Sequence, residues 1–309
     1  MQVFSATLNQ MFVLFTYMAL GYFLNYKGIL PLNTSIAVSR LETNVLVPCL
    51  VFNTFYKYCT VKNMSEKWLY IVYGLAITVV SIVIGVLLSK LFAKDVYLQK
   101  IYTYSFAVAN FSFMGNAVVL GIFGEDILFD YMIFTLPLCL YVYSFGTASL
   151  IPKKENQKNK FSLKVFLNPI CISMLLGGIA GITGLPIPKF LITAVSSAGA
   201  CMSPLAMILT GFIVANFSLK KLLRVKRIYL ASVLRLIILP LIFVLALKLI
   251  GADDSIVMLT LCATAMPLGL NTVVFPAAYD GDTTPGASMA LISHVMSIIT
   301  IPVMFAIFI

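Results

Sequence analysis

The sequence predicts an all-α integral membrane protein: ten transmembrane helices in two inverted five-helix repeats, with helices 4 and 9 broken and crossing. Three observations predict it. Hydrophobic residues make up 61% of the chain and charged residues 10%, more apolar surface than a soluble core can hide but well matched to a bilayer. Apolar runs of about 18 residues or more, the length that crosses the hydrocarbon, recur along the whole chain. Helix-breaking and polar landmarks of the first half also return in the second: Asn116 and Asn271 are 155 residues apart, Pro48 and Pro204 are 156 apart, and Asp126 and Asp282 are 156 apart.

In order, the expected spans are 7–26, 36–56, 68–92, 99–122 and 127–151, then 165–184, 188–217, 228–250, 255–278 and 285–309. The opening MQVFSATLNQMFVLFTYMALGYF has no basic n-region and no small-residue cleavage site, so it reads as a first membrane helix and not as a removable signal. The longest polar stretch, PKKENQKNKFSLK at 152–164, is the expected cytoplasmic linker between a first repeat (1–151) and a second (165–309). Of the 21 basic residues, fourteen fall in loops after odd-numbered spans and five on the other side, with Arg40 and Arg235 inside apolar runs. Cytoplasmic loops collect Lys and Arg, so both termini are expected outside, in a plasma (inner) membrane. Because five is odd, the second copy enters the bilayer from the opposite side, and the repeats are inverted.

Spans 4 and 9 are poor continuous helices. YSFAVANFSFMGNAVVLGIFG places Asn110, Ser112, Gly115 and Asn116 at mid-depth, and LCATAMPLGLNTVVFPAAY places Pro267, Gly269 and Asn271 there. Proline removes a backbone donor, glycine weakens the helix and Asn competes for backbone groups, so both spans should break near the bilayer centre. Broken backbone is tolerated in hydrocarbon only where protein or a wet cavity covers it. With Asn116 and Asn271 as N-caps of the second half-helices, two positive helix ends would converge on an anion. The alternative reading makes both Asn side chains interhelical hydrogen-bond glue.

Glu42 and Asp130 are the carboxylates placed inside spans, each within about two turns of a boundary; both read as interfacial, with proton coupling as the sharper alternative for Glu42. Arg235 reads as snorkelling to the cytoplasmic surface, with substrate pairing or coupling as its alternative. His294, the sole histidine, reads as a hydrogen-bonded structural residue. Six cysteines at irregular spacing offer neither a disulfide framework nor a metal site. No nucleophile stands beside a base, so nothing points to an enzyme, and no cofactor or metal is implied. The formal charge of +10 is spread over short inter-span segments as topology signals are, and does not point to nucleic acid.

The segments NVLVPCLVF, ANFSFMGNAVVLGIFGED, NPICISMLLGGIAGITGLPIP and AMPLGLNTVVFPAAYDGD resemble the auxin efflux carrier family, a group that includes plant auxin carriers and bacterial permeases of the malate or malonate kind. The resemblance covers essentially the whole chain. It implies spans 1, 2, 6 and 7 as a scaffold, spans 3–5 and 8–10 as a moving domain, and a substrate site where helices 4 and 9 cross. Asn110 and Gly115 match the family's span-4 crossover, and Pro267 and Asn271 its span-9 crossover. Two departures stand out: Ala117 occupies the position where the family usually has the span-4 proline, which implies a softer break, and Val51 replaces a substrate-contacting serine of the plant carriers, which bears on auxin as the ligand. Homologues in the family also make a homodimer the expected assembly.

The expectation is a secondary transporter for a small organic anion, a carboxylate by preference, working by alternating access with an elevator-like movement. Asn116 and Asn271 would donate to the anion, Asn110 and Ser112 complete the polar lining, and Gly115 and Pro267 hold the backbone open. A cation-coupled symporter or antiporter of similar fold is the rival within transport, and a non-transporting solute sensor the rival outside it.

Overall fold

The computed structural model describes residues 2–146, 149–151, 168–218, 222, 226–277 and 282–309; the linker expected at 152–164 lies outside them. Among the described residues every regular element is helical: α1 (Gln2–Tyr26), α2 (Thr34–Tyr58), α3 (Val61–Phe92), α4 (Val96–Ala107), α5 (Asn116–Tyr141), α6 (Pro169–Thr183), α7 (Lys189–Val214), α8 (Lys226–Leu249), α9 (Asp254–Thr264), α10 (Asn271–Ala277) and α11 (Thr284–Phe308).

Among the described residues, seven helical stretches are long and apolar enough to cross a membrane, and α6 and α9 are apolar but shorter. The longest stretch runs 51 residues, Val96–Gly146. As one rod it would exceed the roughly 30 Å of bilayer hydrocarbon more than twofold. It turns instead at Gly124, whose φ of 87° and ψ of −177° are open to glycine and to almost nothing else.

Two helices widen into a π-helical turn just before a proline: α2 at Glu42–Leu46, ahead of Pro48, and α8 at Leu234–Ile238, ahead of Pro240. Proline lacks an N–H and its ring crowds the carbonyl four residues earlier; one extra residue in the turn accommodates both. Glu42 and Arg235 sit in these widened turns and are 0% and 5% exposed. Arg235 therefore does not snorkel, and Glu42, read as interfacial from its distance to a helix end, is enclosed by protein. Distance from a helix end fixes depth along the axis but not which neighbours cover a face; here α6 and α7 lie against the Glu42 turn and α11 against the Arg235 turn. Asp130 is likewise buried, paired with Lys67 at 2.6 Å.

The helices fall into two groups by packing. In the first, α1 lies along the second half of α7, and α2 packs against α6 and α7. Gly21 and Gly211 make the α1–α7 approach possible, because a Cβ on either would run into the Ile208 or Met18 carbonyl of the facing helix. In the second group α3 packs on α4 and α5, and α8 packs on α9 and α11. Its interior is aromatic, with Tyr104, Phe106, Phe129, Tyr131 and Phe134 almost wholly buried. The groups also pack on each other, with α1 along α11 and both α1 and α2 touching α5; among these contacts Gln10 Nε2 donates to the Ala117 carbonyl at 3.0 Å, Lys57 pairs with Glu125 at 2.7 Å, and the Phe55 ring meets Phe129 edge-on at 5.3 Å.

Candidate functional site

The chain loses its helix at two places inside the second group. After Ala107 it leaves the helix with an extended Val108 and bends at Asn110, and helix resumes with a π turn at Phe111–Gly115 that leads directly into α5. After Thr264 it is irregular to Leu270, and α10 begins at Asn271. Both interruptions are buried; Ala265, Met266 and Leu268 are at most 1% exposed and Asn110 is 4% exposed. Backbone groups freed in such a place need partners. They find them largely in each other and in nearby side chains: the Asn110 N–H donates to the Pro267 carbonyl at 2.7 Å, and the Leu268 N–H donates to Ser293 Oγ at 3.0 Å.

Asn110 does the capping in the first break. Its Oδ1 accepts from the Met114 N–H at 3.4 Å and its carbonyl from the Gly115 N–H at 2.8 Å. Its Nδ2, buried, has no partner. The Phe111 carbonyl is fixed from behind by the Tyr131 hydroxyl at 3.0 Å. Gly115 is required there, since a Cβ would overlap that hydroxyl. In the second break Asn271 Nδ2 donates to the Tyr104 hydroxyl at 2.7 Å, a bond that joins α10 to α4.

Where the breaks meet, a cavity of about 210 Å³ opens. The second group supplies Tyr104, the backbone from Val108 to Phe113, and Gly269 to Asn271; the first group supplies Ser39 and Thr43 of α2 and Leu209 and Ile213 of α7. The cavity therefore lies between the two groups. The first N–H groups of a helix have no carbonyl one turn back to accept them, so the start at Phe111, Ser112 and Phe113 offers backbone donors along this wall, where a helix N-terminus also favours negative charge. None of the sixteen lining residues is charged.

Of the residues expected from sequence, Asn110, Ser112 and Asn271 come together on the cavity. Pro267 contributes its carbonyl to the crossing, and Gly115 contributes space for Tyr131. Asn116 is placed elsewhere. It does not start a half-helix, as the sequence suggested: the helical turn before it is already closed, and Asn110, six residues earlier, is the cap. Asn116 lines a smaller void of about 30 Å³ with Val47, Val51 and Met174, and Phe111 and Ser112 border both this void and the larger cavity. Glu42 and Arg235 lie off the cavity wall, although Thr43, the neighbour of Glu42, is on it. Both Glu42 carboxylate oxygens are buried without a partner. Sequence reasoning missed Tyr104, Ser39 and Thr43. One aromatic among 38 Phe and Tyr residues carries no local mark, and Ser or Thr in an apolar helix reads as a self-satisfied hydroxyl.

Two buried chain breaks that satisfy each other beside a polar cavity, in a protein of membrane-spanning helices, define a membrane transporter architecture. The chain belongs to the family described as membrane transport protein, which it matches over residues 6–305; this is the auxin efflux carrier family that its motifs resemble. It is also 29% identical over 308 residues, covering 92% of each chain, to a protein of Methanothermobacter thermautotrophicus named as an uncharacterized transporter. The protein is a multi-pass membrane transporter.

Proposed function

We propose that this protein is a secondary transporter for a small organic anion, a carboxylate by preference, and that it works by moving its second helix group against its first. The observation that carries the reading is the 2.7 Å bond from the Asn110 N–H to the Pro267 carbonyl beside a cavity walled by both groups. In this reading the anion accepts from the free N–H groups at Phe111–Phe113 and from Asn110 Nδ2, while Asn271 and Ser112 orient it. Counting Val96–Gly146 as two passes and adding α6 and α9 to the other candidates gives ten spans, consistent with two inverted repeats of five, 1–151 and 165–309. The basic-residue count then puts both termini outside a plasma membrane. Ser39, Thr43, Tyr143 and Ile213 sit toward helix ends that lead to the basic loops, so in this reading the cavity faces the cytoplasm, and Lys57–Glu125 links the two groups at the opposite end. Glu42, buried and unpartnered next to Thr43, is where proton coupling would reside.

The test is uptake into vesicles of purified protein, using labelled monocarboxylates, dicarboxylates and indole acids. Asn110→Ala and Asn271→Ala should each weaken binding of the transported anion about tenfold, and the exposed Lys62→Ala should not. Folded protein that carries none of the panel, or unchanged affinity in both Asn variants, contradicts the reading.

A further inference from the structure

Arg235 is a full charge inside the second helix group with nothing to balance it. It is 5% exposed, its Nε is buried without a partner, and among the described residues no carboxylate lies within ion-pair reach. A buried, uncompensated ion is costly unless its surroundings solvate it, and the surroundings here do so in a particular way. The guanidinium reaches two small cavities, of about 20 and 10 Å³, lined by Thr78, Thr135 and Thr264 on one side and by Ser105 and Ser293 on the other. Each of these hydroxyls already donates its hydrogen to a carbonyl of its own helix. Only their lone pairs remain, which suit a cation's N–H groups and a water. These five hydroxyls cannot donate to an anion, and none of the described residues lining either cavity is a carboxylate, so the lining solvates the charge without cancelling it.

The same small cavities touch the back of the substrate wall. Ala107, Leu268 and Ser105 line them, and these are the chain neighbours of Val108, Gly269 and Tyr104 on the larger cavity. We infer that Arg235 sets the charge selectivity of the crossing site from behind the wall, without touching the substrate, and that it matches the site to a single negative charge. This rests on the anion reading above. A unit charge one side-chain layer away, on the order of 10 Å, acting through an effective dielectric of about 20, changes anion affinity roughly tenfold. A second negative charge meets no further cation on the wall, because none of the described lining residues is charged.

The experiment measures binding of butyrate, its uncharged analogue butyramide, and the dianion succinate to the full-length protein, with folding followed by gel filtration and thermal unfolding. Wild type should favour butyrate over butyramide by about tenfold or more and should not favour succinate over butyrate. Arg235→Gln should bring butyrate and butyramide close to parity, and Arg235→Lys should keep the wild-type ratio. Ser232→Asp provides an independent route if Arg235→Gln does not fold: Ser232 lines the second cavity with a buried, unpartnered hydroxyl, and an acid there neutralises Arg235 in place and should abolish the same ratio. A butyrate preference that survives in folded Arg235→Gln or Ser232→Asp overturns the inference while leaving the transport reading intact, as does a wild type that prefers succinate. If folded wild type binds none of the three, the anion reading fails and takes this inference with it.

Discussion

The two interruptions occupy comparable places and are built by different means. The one after α9 is written into the chain: Pro267 removes a backbone donor and Gly269, two residues on, weakens the helix further, so the two together favour a break at this place. The one after α4 contains no proline. It is held open by side chains, with Asn110 capping the resumed helix and Tyr131, twenty residues on, holding the Phe111 carbonyl. A break set by covalent geometry tolerates changes around it, whereas a break set by packing depends on its supports.

Glycine substitutions test this contrast most severely. Gly115→Ala drives a methyl into the Tyr131 hydroxyl, combining overpacking with the loss of a buried hydrogen bond. A destabilisation of about 2–4 kcal/mol is expected, seen as a lowered unfolding temperature in detergent. Gly269→Ala places its methyl 3.7 Å from Asn110 Cα, an ordinary contact, and should cost under about 1 kcal/mol. Equal losses would erase the distinction between the two breaks.

The polar groups give a smaller and more specific effect. Asn110→Ala removes a cap worth about 1 kcal/mol and should also weaken anion binding. Asn271→Ala and Tyr104→Phe each delete one side of the same 2.7 Å bond, so their effects on binding should be strongly non-additive, with a coupling of about 1 kcal/mol in a double-mutant cycle. Asn116→Ala, which lines the smaller void and not the larger cavity, should leave affinity within about twofold. Smallest of all is Lys57→Ala. Its partner Glu125 is on the other helix group and both side chains are well exposed, at 38% and 43%, so the pair should be worth at most about 1 kcal/mol and fade with added salt.

The contrast also explains what the sequence could reveal. Pro267, Gly269 and Asn271 were legible because a breaker acts through its own residue type, and Gly124 falls between two spans the hydrophobic runs had already separated. In ANFSFMGN two Asn flank one apolar stretch, and either can cap; which one does is decided by Tyr131, packed from another part of the chain. The π turns at Phe111–Gly115 and Leu234–Ile238 add no residue type of their own. For that reason the depth of Arg235 could be counted along its helix, while its enclosure by Thr78, Thr135 and Ser293 could not. Tyr104 shows the same limit: its partnership with Asn271 spans 167 residues and leaves no local pattern.

One measurement reaches the central claim, that the two breaks cross at the wall of a shared anion cavity. A Cβ built on Gly269 lies 3.8 Å from Asn110 Cβ, which is disulfide spacing. In a background with the six native cysteines replaced, Asn110→Cys combined with Gly269→Cys should oxidise readily to an intramolecular link identified by peptide mass spectrometry, and the transported anion should slow its formation. Free thiols at both positions under conditions that link a positive-control pair would contradict the crossing, and a link formed at the same rate with and without the anion would contradict the site.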